Sequence, residues 1–317
     1  MSALIAVVGP TATGKSDLAL DLAKTLGGGS AVEIVGADAM QLYRGMDIGT
    51  AKIPEGDRRG VRHHQIDVLE VTQEASVAAY QREARADIVG IHSRGSLPLV
   101  VGGSGLYVRA LLDELEFPAT DPQVRNDLET QLAALGSSAL HARLTEVDPA
   151  AAGRIDPANG RRIVRALEVI ALTGRPYSAS LPSYTYHQPT VQIGLRGDIE
   201  VLDRRIHKRA HAMFAQGLVE EVRALEVKGL REGKTAARAT GYAQALAVLD
   251  GIMTVEEAGD EVARATSRLA RRQLKWFRRD PRIIWLDFSS PTSLADARRA
   301  VEETWDQGKQ PGGGLSG

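Results

Sequence analysis

Apolar residues along this chain alternate between two rhythms. Continuous short runs, "ALIAVV" (3–8), "AVEIVGAD" (31–38) and "LPLVV" (97–101), have the length of strands buried on both faces. Between them, "KSDLALDLAKTLG" (15–27) and "EASVAAYQREARADIVGIHSRG" (74–95) space their apolar residues as helices do, and the first closes on glycine. Strand followed by helix, repeated, predicts an α/β fold: a P-loop NTPase-like parallel sheet core flanked by helices. From about residue 115 the texture changes to consecutive helices, "DPQVRNDLETQLAALG", "SSALHARLTEVD" and "DPANGRRIVRALEVIALTG". Strand patterns return at "TVQIGLRG" (190–197) and "RIIWLDF" (282–288). The expected organisation is therefore a core of residues 1–114 and 189–307, a mostly helical insertion over 115–188, and a disordered tail over 308–317, where "GKQPGGGLSG" lacks apolar content.

Composition narrows the chemistry. With 43% hydrophobic and 25% charged residues over 317 positions, the chain reads as an ordinary globular protein. It has no cysteine, which excludes disulfides, thiolate catalysis and cysteine-based zinc sites and suits a reducing, cytoplasmic setting. No apolar run is long enough to span a bilayer, so no membrane role is expected. Lys plus Arg number 39 against 40 Asp plus Glu. That balance gives no global attraction to nucleic acid, and charge has to be read by segment.

Between the first run and its helix stands "GPTATGKS", Gly9 to Ser16, which fits G-x-x-x-x-G-K-[ST]. Backbone N–H groups of such a loop and the helix N-terminus cradle phosphates, while Lys15 and the Ser16 hydroxyl reach phosphate oxygens and Mg²⁺. An ATP-splitting loop of this kind normally has a second strand ending in a carboxylate. Here "LPLVV" ends in Gly102, Gly103 and Ser104, and only "AVEIVGAD" offers one, Asp38. Spacing leaves open whether Asp38 forms a turn, binds metal or acts as a base. The long polar loop "DAMQLYRGMDIGTAK" (38–52) has a length usually reserved for function. His63 and His64 are adjacent, with no third ligand in reach of the pattern, and are not expected to bind metal.

Three basic stripes punctuate the neutral chain. Arg268, Arg272, Lys275 and Arg279 share one helical face; Arg161, Arg162 and Arg165 lie within one turn; Arg205 and Arg209 stand four apart in "DRRIHKRAH". Runs of one sign of charge point to a phosphate backbone as partner.

Taken in order, "GPTATGKS", "ADAMQLYRGMDIGTAK", "RHHQIDV", "LVVGGSGLYVRAL", "DPANGRRIVRALEV", "ATGYAQAL" and "RLARRQLKWFRRD" resemble the tRNA dimethylallyltransferases over residues 3 to about 286. "MDIGTAK" and "RRQLKWFR" are much more specific than the phosphate loop. The resemblance implies transfer of a dimethylallyl group from dimethylallyl diphosphate to the N6 amine of the adenosine just 3′ of the anticodon in tRNA. The cradled phosphates then belong to a prenyl donor, which accounts for the missing second carboxylate.

By matching motif, the resemblance implies that Asp38 orients the amine and takes its proton. Gly9, Pro10, Thr11, Ala12, Thr13, Gly14, Lys15 and Ser16 hold the donor diphosphate, with Ser16 on Mg²⁺. Ser104, at a position usually threonine, contacts the reacting groups. Arg209 is the expected second diphosphate contact, with Arg205 as the alternative. The implied tRNA contacts are Asp38, Ala39, Met40, Gln41, Arg125, Arg161, Arg162, Arg165, Gly241, Tyr242 and Gln244, and the base must be flipped to reach the donor. Ala39 replaces a common serine and Ala243 a common arginine, each weakening one polar contact. The chain has no cysteine-based zinc finger, as in the bacterial form, and is expected to act as a cytoplasmic monomer.

Other readings make different demands. A small-molecule kinase would turn over ATP and need a second acid beside the loop. A non-catalytic RNA-binding or switch module would leave Asp38 and "MDIGTAK" without a chemical task. An adenylate prenyltransferase, acting on free nucleotide, would have little use for the insertion or the stripes.

Overall fold

The computed structural model describes residues 4–180 and 184–309. Its sheet has six strands, β1 (Leu4–Val8), β2 (Val32–Gly36), β3 (His63–His64), β4 (Leu97–Gly102), β5 (Thr190–Arg196) and β6 (Ile284–Asp287). They run in the order β3-β2-β4-β1-β5-β6, and every pairing is parallel. All five residues of β1 are fully buried. Leu4, Ala6 and Val8 pack on one face while Ile5 and Val7 pack on the other. Burial of both faces is why β1 reads as an unbroken apolar run rather than an alternating one.

Helices cover both faces. α1 (Lys15–Thr25) packs through Leu18, Leu22 and Ala23 beside Ile5 and Val7. α2 (Val77–Ser93) and α3 (Gly105–Leu112) pack through Tyr80, Ala84, Val108 and Leu111 beside Leu4 and Val8. Ser76 starts α2 by accepting the Ala79 N–H in its side chain.

Asp113–Thr185 forms a separate compact unit. It contains α4 (Pro122–Val147), α5 (Pro149–Ala152) and α6 (Gly160–Thr173) around Leu128, Leu140, Leu144, Ile163 and Leu167. α4 is broken at Gly136, whose φ of 80° is outside the helical region, so the two helices read from the pattern are two in fact. The insertion was expected over 115–188. Residues 186 and 187 instead belong with the sheet: the His187 N–H donates to the Leu112 carbonyl, and the Arg282 guanidinium lies 3.8 Å from the Tyr186 ring centroid.

The remaining helices of the sheet-bearing unit are α7 (Ile199–Ala215), α8 (Leu218–Glu226), α9 (Tyr242–Leu249), α10 (Val255–Phe277) and α11 (Ser293–Lys309). α7 to α10 build their own core around Met213, Leu218, Val222, Tyr242 and Val262, which also takes in Tyr43 and Met46 of the 38–52 loop. Thr254 and Glu257 close a reciprocal capping box at the start of α10. Of the expected tail, Lys309 still belongs to α11 and residues 310–317 lie outside the described residues. No described helix is long and apolar enough to cross a membrane.

Candidate active site

The carboxyl ends of β1, β2 and β4 deliver Gly9, Asp38 and Ser104 to one edge of the sheet, the edge at which parallel sheets bind ligands. Gly9 has a φ of 138°, and a Cβ there would sit 2.7 Å from the Leu195 carbonyl oxygen, so the first turn of the loop admits only glycine. The Pro10 carbonyl accepts from both the Thr13 hydroxyl (2.8 Å) and Lys15 Nζ (2.6 Å). α1 begins at Lys15, so its free N-terminal N–H groups complete an anion cradle.

A cavity of about 440 Å³ opens on this cradle, lined by Gly14, Lys15, Ser16, Asp38, Gln41, Arg205 and Arg209 among others. Arg209, half-buried on α7, donates to the Thr11 hydroxyl. Burial pulls its basicity down, and Asp38 partly restores it. Arg205 is exposed, with its guanidinium 4.6 Å from the Phe288 ring centroid. Of the two, Arg209 is therefore the one built into the phosphate loop. Burial also lowers Lys15, from 10.5 to about 8, with Asp38 opposing the shift and Arg209 adding to it. These two cations and Asp38 make a concentrated charge cluster that an anionic ligand would complete.

Asp38 Oδ1 accepts the Met40 N–H at 3.0 Å, while Oδ2 has no protein partner among the described residues. Ser104 Oγ accepts the Ala39 N–H at 3.2 Å, and the Ser104 N–H donates to the Ala37 carbonyl at 3.3 Å. The turn after β2 is thus held by β4, and Asp38 is aimed by it. A second cavity of about 130 Å³ shares Thr11, Asp38, Thr50 and Arg209 with the first and is otherwise lined largely by apolar groups, including Ile206, Met213, Val262 and Leu269. Asp38 stands where the two spaces adjoin.

The profile of the family described as IPP transferase matches residues 41–280. The chain belongs to that family. A tRNA dimethylallyltransferase of Thermobifida fusca is 60% identical, aligned over 96% of this chain and 96% of its own. Its counterpart from Kineococcus radiotolerans is 59% identical, over 94% of this chain and 95% of its own. The solved tRNA isopentenylpyrophosphate transferase of Bacillus halodurans superposes with a TM-score of 0.70 at 39% identity, covering 98% of this chain and 100% of that one. A eukaryotic dimethylallyltransferase acting on tRNA superposes at 0.82 over 99% of this chain and 81% of its own; at 23% identity it bears on the fold alone. These neighbours share the P-loop NTPase-like sheet with helices on both faces.

In this IPP transferase the residues singled out as tRNA contacts divide. Met40 and Gln41 line the cavities, and the Gln41 side chain donates to the Thr50 carbonyl (3.1 Å). Arg161 and Arg162 are exposed and without an ion-pair partner among the described residues. Arg125 and Arg165 differ: both bind the fully buried Glu168 carboxylate, at 2.6 and 2.7 Å, and Arg165 also donates to the Pro118 carbonyl. Their guanidinium groups serve the insertion's own packing. The Tyr242 side chain is fully buried, and its hydroxyl donates to Glu221 (2.6 Å). The Gln244 side chain caps the backbone, accepting the Gly241 N–H at 2.8 Å.

Sequence reasoning overlooked Glu221 and Gln273. Glu221 accepts the Ile48 N–H (2.7 Å) as well as the Tyr242 hydroxyl, and Gly49 permits the tyrosine ring to pack where a Cβ would come within 2.5 Å. Gln273 accepts the Thr11 N–H and donates to the Gly103 carbonyl, both at 2.9 Å, joining the phosphate loop to the end of β4. Its signal was present in "RRQLKWFRRD", where it is the uncharged polar residue off the basic face.

Proposed function

We propose that this IPP transferase moves a dimethylallyl group from dimethylallyl diphosphate to N6 of the adenosine 3′-adjacent to the anticodon of tRNA, in the cytoplasm. The observation that carries the reading is the convergence of an anion cradle (Lys15, Arg209) on a single carboxylate, Asp38, at the junction of two cavities. The donor's diphosphate occupies the cradle, and its allylic carbon lies at the junction. The N6 nitrogen attacks that carbon as the carbon–oxygen bond to diphosphate breaks. The proton lost from N6 passes to Asp38, whose Oδ2 is unencumbered. Lys15, Arg209 and the loop N–H groups meet the negative charge that grows on the departing diphosphate.

The donor set suits Mg²⁺: the Ser16 hydroxyl lines the larger cavity, and a hard oxygen ligand of this kind together with substrate phosphates is what Mg²⁺ takes. When bound there it supplies further charge neutralisation at the diphosphate. Arg161, Arg162, Arg272, Lys275 and Arg279, all exposed, are read as the contacts for the RNA backbone.

The test is incubation with unmodified tRNA, Mg²⁺ and either dimethylallyl diphosphate or ATP, followed by mass spectrometry of the nucleosides. Prenylated adenosine formed only with the diphosphate is the expected result. Phosphate transfer from ATP to a small molecule, with no prenylated nucleoside, would overturn it.

A further inference from the structure

On α7 and α10, away from the phosphate cradle, three ligating side chains meet. His207 and His211 stand four residues apart on α7, the spacing that presents two imidazoles on one helix face. Asp260 of α10 faces both. Its Oδ1 lies 3.1 Å from Nε2 of His211 and 3.6 Å from Nε2 of His207, and the three ligand atoms fall within 4.8 Å of one another. The imidazole centroids are 4.5 Å apart at a tilt of 39°. Close approach of the helices depends on Gly259, where a Cβ would sit 2.8 Å from Nδ1 of His211. Arg264, one turn along α10 from Asp260, is already committed to Glu261.

We propose that His207, His211 and Asp260 form a site for a divalent transition metal of the Zn²⁺ class, with water completing the shell. A tetrahedral ion with bonds of about 2.0–2.1 Å holds its ligands roughly 3.4 Å apart. The two separations from Asp260 straddle that value, while the ligand nitrogens of His207 and His211, within 4.8 Å of each other, must swing together by up to roughly 1.4 Å, a movement of exposed rings about their own side-chain bonds. Two imidazole nitrogens with one carboxylate favour Zn²⁺, Co²⁺ or Ni²⁺ over Mg²⁺, which separates this site chemically from the oxygen ligands at Ser16. All three side chains are at least one-third exposed, which provides an entry path. The metal fastens α7, which carries Arg209, to α10, which carries Gln273. Both of those residues reach Thr11 of the phosphate loop, so occupancy stiffens the frame that holds the cradle.

The experiment titrates Co²⁺ into the full-length, chelator-treated chain, free of any histidine tag, in excess Mg²⁺. Visible absorption reports coordination, and the melting temperature is followed with Zn²⁺. The expected result is saturation at one equivalent, a melting temperature that rises with Zn²⁺, and persistence of both in the His92→Gln control. His207→Ala and the near-isosteric Asp260→Asn each weaken binding by roughly 100-fold or more while the metal-free melting temperature stays put, since removing even an outer-shell partner costs about 10- to 100-fold. Failure of the wild type to saturate, or undiminished binding in both variants, overturns the site.

Discussion

Asp38 and Lys15 carry the chemistry at the scale of single residues. Asp38→Asn keeps the shape and the Met40 contact while removing the proton acceptor. We expect kcat to fall by about 10²- to 10⁴-fold with tRNA affinity nearly intact, measured by single-turnover kinetics beside filter binding. An Asn variant with wild-type turnover would remove Asp38 from its role. Lys15 gives the pH dependence. Burial sets its pKa at about 8 without donor, against an ordinary 10.5. A bound diphosphate favours the ammonium form and raises that value again. Above about 8, binding must therefore take up a proton, and the donor KM is expected to rise by up to roughly tenfold per pH unit. The sign for folding is opposite in character: the cost of burying the charge is fully present below about 8 and is relieved as pH climbs toward 10.5. Donor KM measured across the alkaline range at saturating tRNA decides it, since a flat profile would mean that Lys15 stays charged.

Elements hold those residues in place. In the insertion, burial alone would raise the Glu168 carboxyl, but hydrogen bonds from Arg125 and then Arg165 more than reverse this and hold it below its usual range. Removing one arginine leaves a buried carboxylate short of a partner. Arg165→Ala is expected to cost about 1–3 kcal/mol of stability in denaturant melts. Arg162→Ala, at an exposed position, should leave those melts unchanged and weaken tRNA binding. α10 works differently on its two faces: Arg272 and Lys275 are exposed while Gln273 reaches inward to the phosphate loop. Replacing Gln273 by Ala frees the Thr11 N–H and the Gly103 carbonyl together. The expected signature is a higher donor KM with an unchanged tRNA Kd, and a shift in tRNA affinity alone would assign the residue to the RNA surface instead.

At the scale of the whole molecule, a nearly neutral protein meets a polyanion through local patches. If Arg272 and Lys275 neutralise tRNA phosphates, the double alanine variant should lower the slope of log K against log salt by about 2, roughly one per lost charge, in binding isotherms across ionic strength. An unchanged slope would show that these side chains meet no phosphate. The sheet, the phosphate loop, Asp38 and the basic runs were legible in the chain because each rests on local causes: apolar periodicity, a glycine that tolerates a φ of 138°, and charge at helical spacing. Apolar periodicity determined the fold class, and the order of the motifs carried the resemblance to the family. Local pattern could not say which of several arginines is free. Arg125 and Arg165 look like Arg162 in sequence, and only a buried glutamate brought alongside them by the folding of α4 against α6 gives them an ion-pair partner. Tyr242, Glu221 and Gln273 make the same point. Their partners lie between 21 and 262 residues away along the chain, so tertiary packing alone decided that they shape the site from behind, because a hydrogen bond acts across about 3 Å of space and not across sequence.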